Sequence, residues 1–485
     1  MFIGIDLGTS ALKLLLMDEL GRIIKTVSCN LSLSYPQPGW SEQRPEDWLE
    51  ATDRCMQDLL ADQDPKAVKG ISFGGQMHGL VILDDADNVI RPAILWNDGR
   101  TQAETDYLNT TIGTSLLVEE TGNIAFAGFT APKLLWLQKH EPESFAKISK
   151  IMLPKDYLTY NLTGVHATDL SDASGTLLFD VRNQCWSQKM IEICNIREDQ
   201  LPHVYQGSDF VGTVLTTYAR KWELKDSVKV MAGAGDNAAA AVGTGTVESG
   251  KGNISLGTSG TIFVATDAYL PLSNNSVHQF CHTDGSYHLM GCMLSAASCH
   301  SWWQQDILNR SADRVITVSS GPGADELYFL PYLMGERSPH NDERIRGAFI
   351  GLSVETSEAD MSYAVLEGVS FGLRDSLEII RDLGIHFDGM TVTGGGARSQ
   401  VWKSILSNIL GVNLHSILQE AGPAYGAAIL AAVGCGVWSS VYEASTELAK
   451  LGDDTKPEPQ LLSYYEKKYR RFTKLYPLLK QFYYD

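Results

Sequence analysis

The sequence predicts a two-domain α/β protein whose halves are built alike and enclose a cleft. Three observations predict it. The chain has 485 residues, too many for one ordinary domain and enough for two or three. Short β-favouring runs alternate with helical stretches, the pattern of sheets covered by helices. The tetrapeptide Leu-Gly-Thr-Ser stands at Leu7–Ser10 and again at Leu256–Ser259, each time after a β-favouring run and before another apolar run. The same context repeated about half a chain apart points to an internal duplication. The boundary then falls near Gly245–Gly252, with domains 1–247 and 248–485.

The elements follow in order. Ile3–Leu7 and Leu12–Met17 read as strands joined by the tight turn Gly8-Thr9-Ser10. Pro45 at a helix start, followed by Glu46, Asp47 and Trp48, opens a helix through Leu60. Val68–Phe73 and Val81–Leu83 are strands, as is Val228–Met231, which precedes the loop Gly233–Ala238 and an alanine-rich helix. Asn253–Leu256 and Thr261–Ala265 form the second hairpin. Ser357-x-x-Asp360 is a capping-box-like start, after which Met361, Val365, Val369, Leu373 and Leu377 recur every fourth residue as a core stripe until Gly384. Met390–Thr393 is a strand, Gly394–Ala397 a turn, and the residues around Trp402–Leu410 a helix. Pro423–Trp438, rich in Ala and Gly, is shorter than the roughly 20 residues that cross a bilayer and reads as a buried helix. The basic stretch Glu466–Arg471 reads as a solvated helix face.

With 44% apolar and 20% charged residues the chain sorts with soluble globular proteins and not with disordered or fibrous ones. The 39 Lys and Arg against 58 Asp and Glu give a net charge of −19, which repels nucleic acid and anionic membrane, so neither is an expected partner. A single cleft can still bind a small phosphate. The eight cysteines form no C-x-x-C pair and no zinc-type Cys/His cluster, so reduced thiols are expected. Met1–Leu7 has no basic n-region and Asp6 interrupts its apolar run, so a cytoplasmic location without a signal peptide is expected.

Two phosphate motifs nearly form. Gly245–Gly252 has the Walker A spacing but ends on Gly252 where a magnesium-binding hydroxyl belongs, and a strand follows it instead of a helix. Gly233-Ala234-Gly235-Asp236-Asn237-Ala238 fits the dinucleotide pattern, yet a carboxylate at Asp236 would repel the pyrophosphate. The same Asp236, at the mouth of a helix and between small residues, suits a general base that accepts a hydroxyl proton; an ordinary helix cap is the other reading. The two hairpin turns supply backbone amides and hydroxyls that can hold a polyphosphate across a cleft, or else are plain β-turns. Asp6, an acid ending an apolar strand, calls for a cation, with Mg²⁺ the natural partner, and Lys13 adds charge for the phosphates or is a surface lysine. Gly75-Gln76-Met77-His78-Gly79 and Trp96-Asn97-Asp98-Gly99-Arg100 set hydrogen-bonding groups among an aromatic platform and glycines, as a polyol site requires.

Taken together, these motifs resemble the FGGY carbohydrate kinases of the actin-like ATPase superfamily. The resemblance rests on the paired hairpins, Gly235-Asp236-Asn237 and Gly394-Gly395-Gly396-Ala397-Arg398-Ser399. Gly128–His140 matches the first family signature; Gly347–Leu352, Asp360-Met361 and Ala364–Glu367 match the second, so nearly the whole chain is covered. It implies two actin-like (ribonuclease H-like) domains around a cleft, with ATP and Mg²⁺ as cofactors and a small-molecule sugar as substrate; a homodimer is compatible with it. Further motifs, among them Leu153–Leu158, Ser171–Thr176 and Ser295–Cys299, imply phosphorylation of D-xylulose to its 5-phosphate in pentose catabolism. The resemblance implies Asp236 as base, with Met77, His78, Asn237, Gln76, Trp96 and Arg100 at the sugar. It implies Gly8, Thr9, Ser10 and Lys13 at the phosphates, Gly257, Thr258, Ser259, Gly395, Gly396, Ala397 and Gln400 at the nucleotide, and Asp6 at the metal. His300-Ser301 and Ala234 depart from the family form, and Ala234 adds a methyl beside the base. Gluconate, ribulose or fuculose are alternative acceptors, gluconate calling for a cation beside His78, for which Arg100 is the one nearby candidate. A nonenzymatic ATP switch would share the hairpins but have no use for a base facing a polyol loop.

Overall fold

The structure, a computed structural model, describes residues 1–270, 272, 276–311, 325–387, 389–418 and 421–484. Two sheets organise it. The first uses β1 (Phe2–Leu7), β2 (Ala11–Met17), β3 (Ile23–Asn30), β4 (Gly70–Gly75), β5 (Phe210–Thr213), β6 (Lys229–Met231) and β7 (Ala234–Gly235), in the order β3-β2-β1-β4-β6-β5 with β7 continuing beside β4. The second uses β8 (Gly252–Leu256), β9 (Gly260–Thr266), β10 (His278–Cys281), β11 (Tyr287–Met293), β12 (Met390–Thr393), β13 (Leu414–Ile417) and β14 (Leu451–Thr455), in the order β10-β11-β9-β8-β12-β13-β14.

Apart from β10, the two orders are the same walk. Each has two antiparallel pairings into the hairpin, a parallel strand beside its first arm, a second parallel strand, and an antiparallel edge. The repeated tetrapeptide is the turn of the matching hairpins, as the duplication predicts. In register, Asp6 of β1 corresponds to Ser255 of β8, and both stand one residue before the repeat.

Among the helices, those that frame the sheets and the site are α1 (Pro45–Leu60), α2 (Thr130–His140), α3 (Pro154–Thr163), α4 (Leu170–Ser174), α5 (Asp236–Gly243), α6 (Glu358–Asp382), α7 (Gln400–Leu410), α8 (Pro423–Gly434), α9 (Pro459–Phe472) and α10 (Leu475–Tyr484). Alternation along β1 sorts its two faces: Ile3, Ile5 and Leu7 pack toward α1 and α3, whereas Phe2 packs toward α5 and α8. Gly4 lets α8 come close; a Cβ there would lie 1.8 Å from the Ala424 carbonyl oxygen. The expected capping box of α6 forms between Ser357 and Asp360, and Val365, Val369, Leu373 and Leu377 are buried in the second core. Among the described residues no helix is long and apolar enough to cross a membrane.

Three expectations need correction. Residues of the predicted second domain return to the first sheet: α8, with Trp438, Val441 and Leu448 after it, shares a core with Phe2, Leu15 and α5. The small residues of α5 and α8 allow that close crossing, and sequence distance carries no record of it. Cys29 on β3 and Cys55 on α1 are paired as a disulfide, because α1 packs against the hairpin edge. The basic stretch on α9 is not fully solvated: Lys468 is buried and ion-paired with Glu367 of α6 at 2.6 Å, while Arg470 remains exposed.

Candidate active site

β7 ends at Gly235 and α5 begins at Asp236, so the carboxylate stands at the edge of the sheet on the first helical residue. The Gly235 N–H donates to Ser171 Oγ at 3.0 Å, and Ser171 in turn donates to Asp169, which anchors this junction from behind. Asn237 donates to Asp236 Oδ1 twice, from its backbone at 2.7 Å and its amide at 2.8 Å. Burial raises the Asp236 carboxyl to about 6 against the pull of those two donors.

Asp236 borders a cavity of about 600 Å³ between the lobes, walled by Met77, His78 and Trp96 on one side and by Gly257, Thr258 and Ser259 on the other. Gly257 and Thr258 are also the inner wall of a second cavity of about 660 Å³, which opens outward past Ser298, Trp302 and Gly395. Two compartments thus meet at the second hairpin turn, with the carboxylate in the inner one. A third, of about 230 Å³, runs from Asp236 past Ser255 and Thr393 to Gly422 at the start of α8.

His78 sits at φ 67° in the loop after β4, its ring stacked on Phe129 at 4.5 Å and its Nδ1 2.6 Å from the Gly175 carbonyl. Burial, with the charges of Arg337 and Lys133, holds it well below the usual imidazole range, so it is neutral: Nδ1–H donates to Gly175 and Nε2 is left as an acceptor. Lys133 of the first signature is fully buried and donates to the carbonyls of His78 and Gly128 at 2.7 Å each, tying two cavity loops together. Gly175 has no room for a side chain: a Cβ would lie 2.6 Å from His78 Cε1 and Nδ1. Gly175→Ala should therefore displace the ring and weaken ligand binding in the inner cavity about tenfold or more, as calorimetric titration will report.

The expected site residues divide. Met77, His78, Trp96, Asp236, Asn237, Gly257, Thr258 and Ser259 border the inner cavity, and Gly395 the outer. Trp96 gives its N–H to Thr9 Oγ1 at 2.9 Å and offers the cavity its ring. Gln76 is buried, accepting from Thr9 and donating to Gln43, and does not reach the cavity. Gly8, Thr9 and Ser10 border none of the three cavities, the Thr9 hydroxyl being held by Trp96 and Gln76. Gly396 packs on Leu256 and Trp402; neither it nor Ala397 borders the three cavities, and Gln400 donates to Thr455 Oγ1. Lys13 lies beside Asp6 across the hairpin and donates to the Ala421 carbonyl at 2.8 Å. Asp6 is partly buried and raised to about 7 by burial and by the charge of Asp236, with Lys13 opposing.

Arg100 is a correction. Its side chain is fully buried, paired with Asp98 and Glu42 at 2.7 Å each and laid 3.7 Å over Trp40, so it is no cation for the acceptor. Arg337 borders the cavity instead, as do Ser255 and Thr261. Ser255 was open to detection by aligning the two repeats, where it matches Asp6. Arg337 had only a Glu-Arg step after an apolar run as its signal.

Duplicated sheets that close on a cleft bordered by Asp236 form the actin-like ATPase fold in its two-domain kinase version. The chain belongs to the FGGY family of carbohydrate kinases. The model described as FGGY family of carbohydrate kinases, N-terminal domain, matches residues 1–243, and its C-terminal counterpart matches residues 252–435. A xylulose kinase of Escherichia coli (strain K12) is 42% identical over 483 residues, covering 99% of both chains. The solved structure of a xyloylose kinase from Brucella ovis superposes with a TM-score of 0.94 at 39% identity over 99% of both chains. A gluconate kinase from Lactobacillus acidophilus superposes as well, with a TM-score of 0.94 at 26% identity over 99% of this chain and 98% of that one. The protein is a sugar kinase that uses ATP as phosphoryl donor.

Proposed function

We propose that this chain transfers the γ-phosphoryl group of ATP to D-xylulose, giving D-xylulose 5-phosphate. Relatives bearing that activity in their names span the whole chain. The observation that carries the mechanism is the shared wall at Gly257-Thr258: the sugar occupies the compartment of Asp236, the nucleotide the outer one, and the reacting phosphate lies where they meet. Phosphoryl transfer asks mainly for alignment and charge neutralisation. Asp236 accepts the hydroxyl proton as the oxygen attacks. Neutral His78 accepts a hydrogen bond from the sugar through Nε2, and Met77 and Trp96 supply the apolar and aromatic surface. Backbone and hydroxyl groups of Gly257, Thr258 and Ser259 orient the phosphates.

Asp6 is the residue to hold Mg²⁺: its carboxyl faces the repulsion of Asp236 and gains a cation by ionising, which fits a divalent ion. When bound, the ion neutralises phosphate charge. The cytoplasm, where ATP is abundant, is the proposed setting.

The test is an ADP-release assay over ketoses, aldoses, polyols and gluconate. D-Xylulose should respond most strongly, and excess EDTA should abolish the signal until Mg²⁺ is restored. A preference for gluconate would overturn the D-xylulose reading while keeping the kinase; no response to any acceptor would overturn the function.

A further inference from the structure

Among the described residues Arg337 is the only cationic side chain bordering the inner cavity. Its guanidinium lies 5.7 Å over the Phe126 ring, and a Cβ built on Gly128 would come within 3.7 Å of its Nη2. It makes no ion pair among the described residues. The adjacent acid forms no ion pair with it: Glu336 Oε1 is taken by the N–H groups of Leu294 at 3.0 Å and of Arg337 itself at 2.8 Å, and Oε2 is buried without a hydrogen-bond partner. Burial also pushes the Glu336 carboxyl up to about 8, leaving it largely uncharged at neutral pH. A half-buried guanidinium presents up to five donors in a planar fork, and although Asp98, Asp236, Glu336 and Glu343 also border the cavity, none of them is paired with it.

The turn that carries Arg337 is built to stay in place. Glu336 and Asp342 exchange backbone hydrogen bonds at 2.8 Å. The Asp342 carboxylate accepts from the N–H groups of Arg344 and Ile345 and from the hydroxyls of Tyr476 and Tyr484, both at 2.9 Å. His340 stacks on Tyr476 at 3.6 Å. The C-terminal helix α10 is thus the brace of this turn, although it borders no part of the cavity.

We propose that Arg337 grips the acceptor through oxygen atoms remote from the hydroxyl that Asp236 deprotonates, and that α10 sets its reach. This rests on the sugar-kinase reading. It gives the cavity two poles, a base that selects the reacting hydroxyl and a cationic fork that requires oxygen at the other end of the sugar.

Steady-state kinetics of the full chain and of Arg337→Met, Arg337→Lys and Tyr476→Phe will test it, using the best acceptor from the panel. Arg337→Met should raise the acceptor KM about 10- to 150-fold, the range for losing a charge-assisted hydrogen bond. The KM for ATP should change less than about threefold. Arg337→Lys should recover part of the loss, since it restores charge without the fork. Tyr476→Phe, outside the cavity, should raise the acceptor KM by about two- to tenfold with kcat held. An acceptor KM for Arg337→Met within about twofold of wild type overturns the inference and leaves the kinase intact. If Arg337→Met fails to fold, unchanged acceptor KM in both other variants overturns it. A wild-type chain that phosphorylates no acceptor overturns both readings.

Discussion

Replacing Asp236 with Asn is expected to lower kcat by about 10²- to 10⁴-fold or more while the KM for ATP stays within a few-fold. Asn keeps the shape and the acceptor oxygen for the two Asn237 donors, so the loop holds, but it cannot take a proton. A drop shared equally by kcat and kcat/KM for the sugar will mark an interaction made in the transition state. Retained turnover would remove Asp236 from the mechanism. The pH profile gives the sign independently. On the proposed mechanism the ionised form is the active one, and with the carboxyl raised to about 6, kcat/KM for the sugar should fall about tenfold per pH unit below that value and level off above it. Stability runs the other way. A carboxyl raised in the folded state favours the fold while protonated, and that contribution is lost as pH climbs from about 4 to about 6. From the value of about 6 against 3.8, the ionised group costs the fold on the order of 3 kcal/mol at neutral pH. Asp236→Asn should therefore resist denaturant better than wild type at pH 7.5, with the gain shrinking toward pH 4.

The second large effect lies behind the base. Lys155→Met should destabilise the first lobe by about 3–5 kcal/mol, the usual cost of leaving buried charges uncompensated. Lys155 is fully buried on α3, with Asp156 at 2.7 Å, Asp169 at 2.8 Å and Asp172 at 3.6 Å. Burial works against its charge, but the three carboxylates outweigh it and hold the amine above its ordinary range. Asp172, whose oxygens have no hydrogen-bond partner, is held well above the carboxylate range by burial, with Lys155 opposing. One buried cation thus serves three buried acids, of which Asp172 is held well above the carboxylate range. Through Asp169 and Ser171 the cluster reaches the Gly235 N–H, so kcat should fall in any variant that still folds. The measurement is the denaturant midpoint of the first lobe, with Asp156→Asn added to Lys155→Met. Part of the loss should return in the double variant, because one stranded charge is gone and a neutral acceptor still serves the Leu153 N–H. A Lys155→Met midpoint equal to wild type would contradict the charge balance.

Much of the site was readable because its chemistry is local. The second Gly-Thr-Ser turn, a Gly-Asp-Asn helix start and a glycine-flanked Met-His pair can each be read within a few residues, and all border the inner cavity, whereas the first Gly-Thr-Ser turn does not. Where the reading failed, the deciding partner was distant. Arg100 looked available until Glu42 and Trp40 were folded onto it. Gln76 spends its amide on Gln43 and Thr9. Arg337 offered little to a linear reading, since its position depends on Asp342, Tyr476 and Tyr484, which meet only when α10 docks.

The chain by itself determined the duplication, the two hairpins, the strand and helix starts, and the residue types capable of proton and phosphate chemistry, since backbone propensity and periodicity act over a few neighbours. Only the tertiary structure decided which of those groups face a cavity and which are consumed by ion pairs. It alone turned α8 back onto the first sheet and set the pKa of Asp236. Burial and charge pairing are properties of the space around a side chain, and that space is assembled from segments far apart along the backbone.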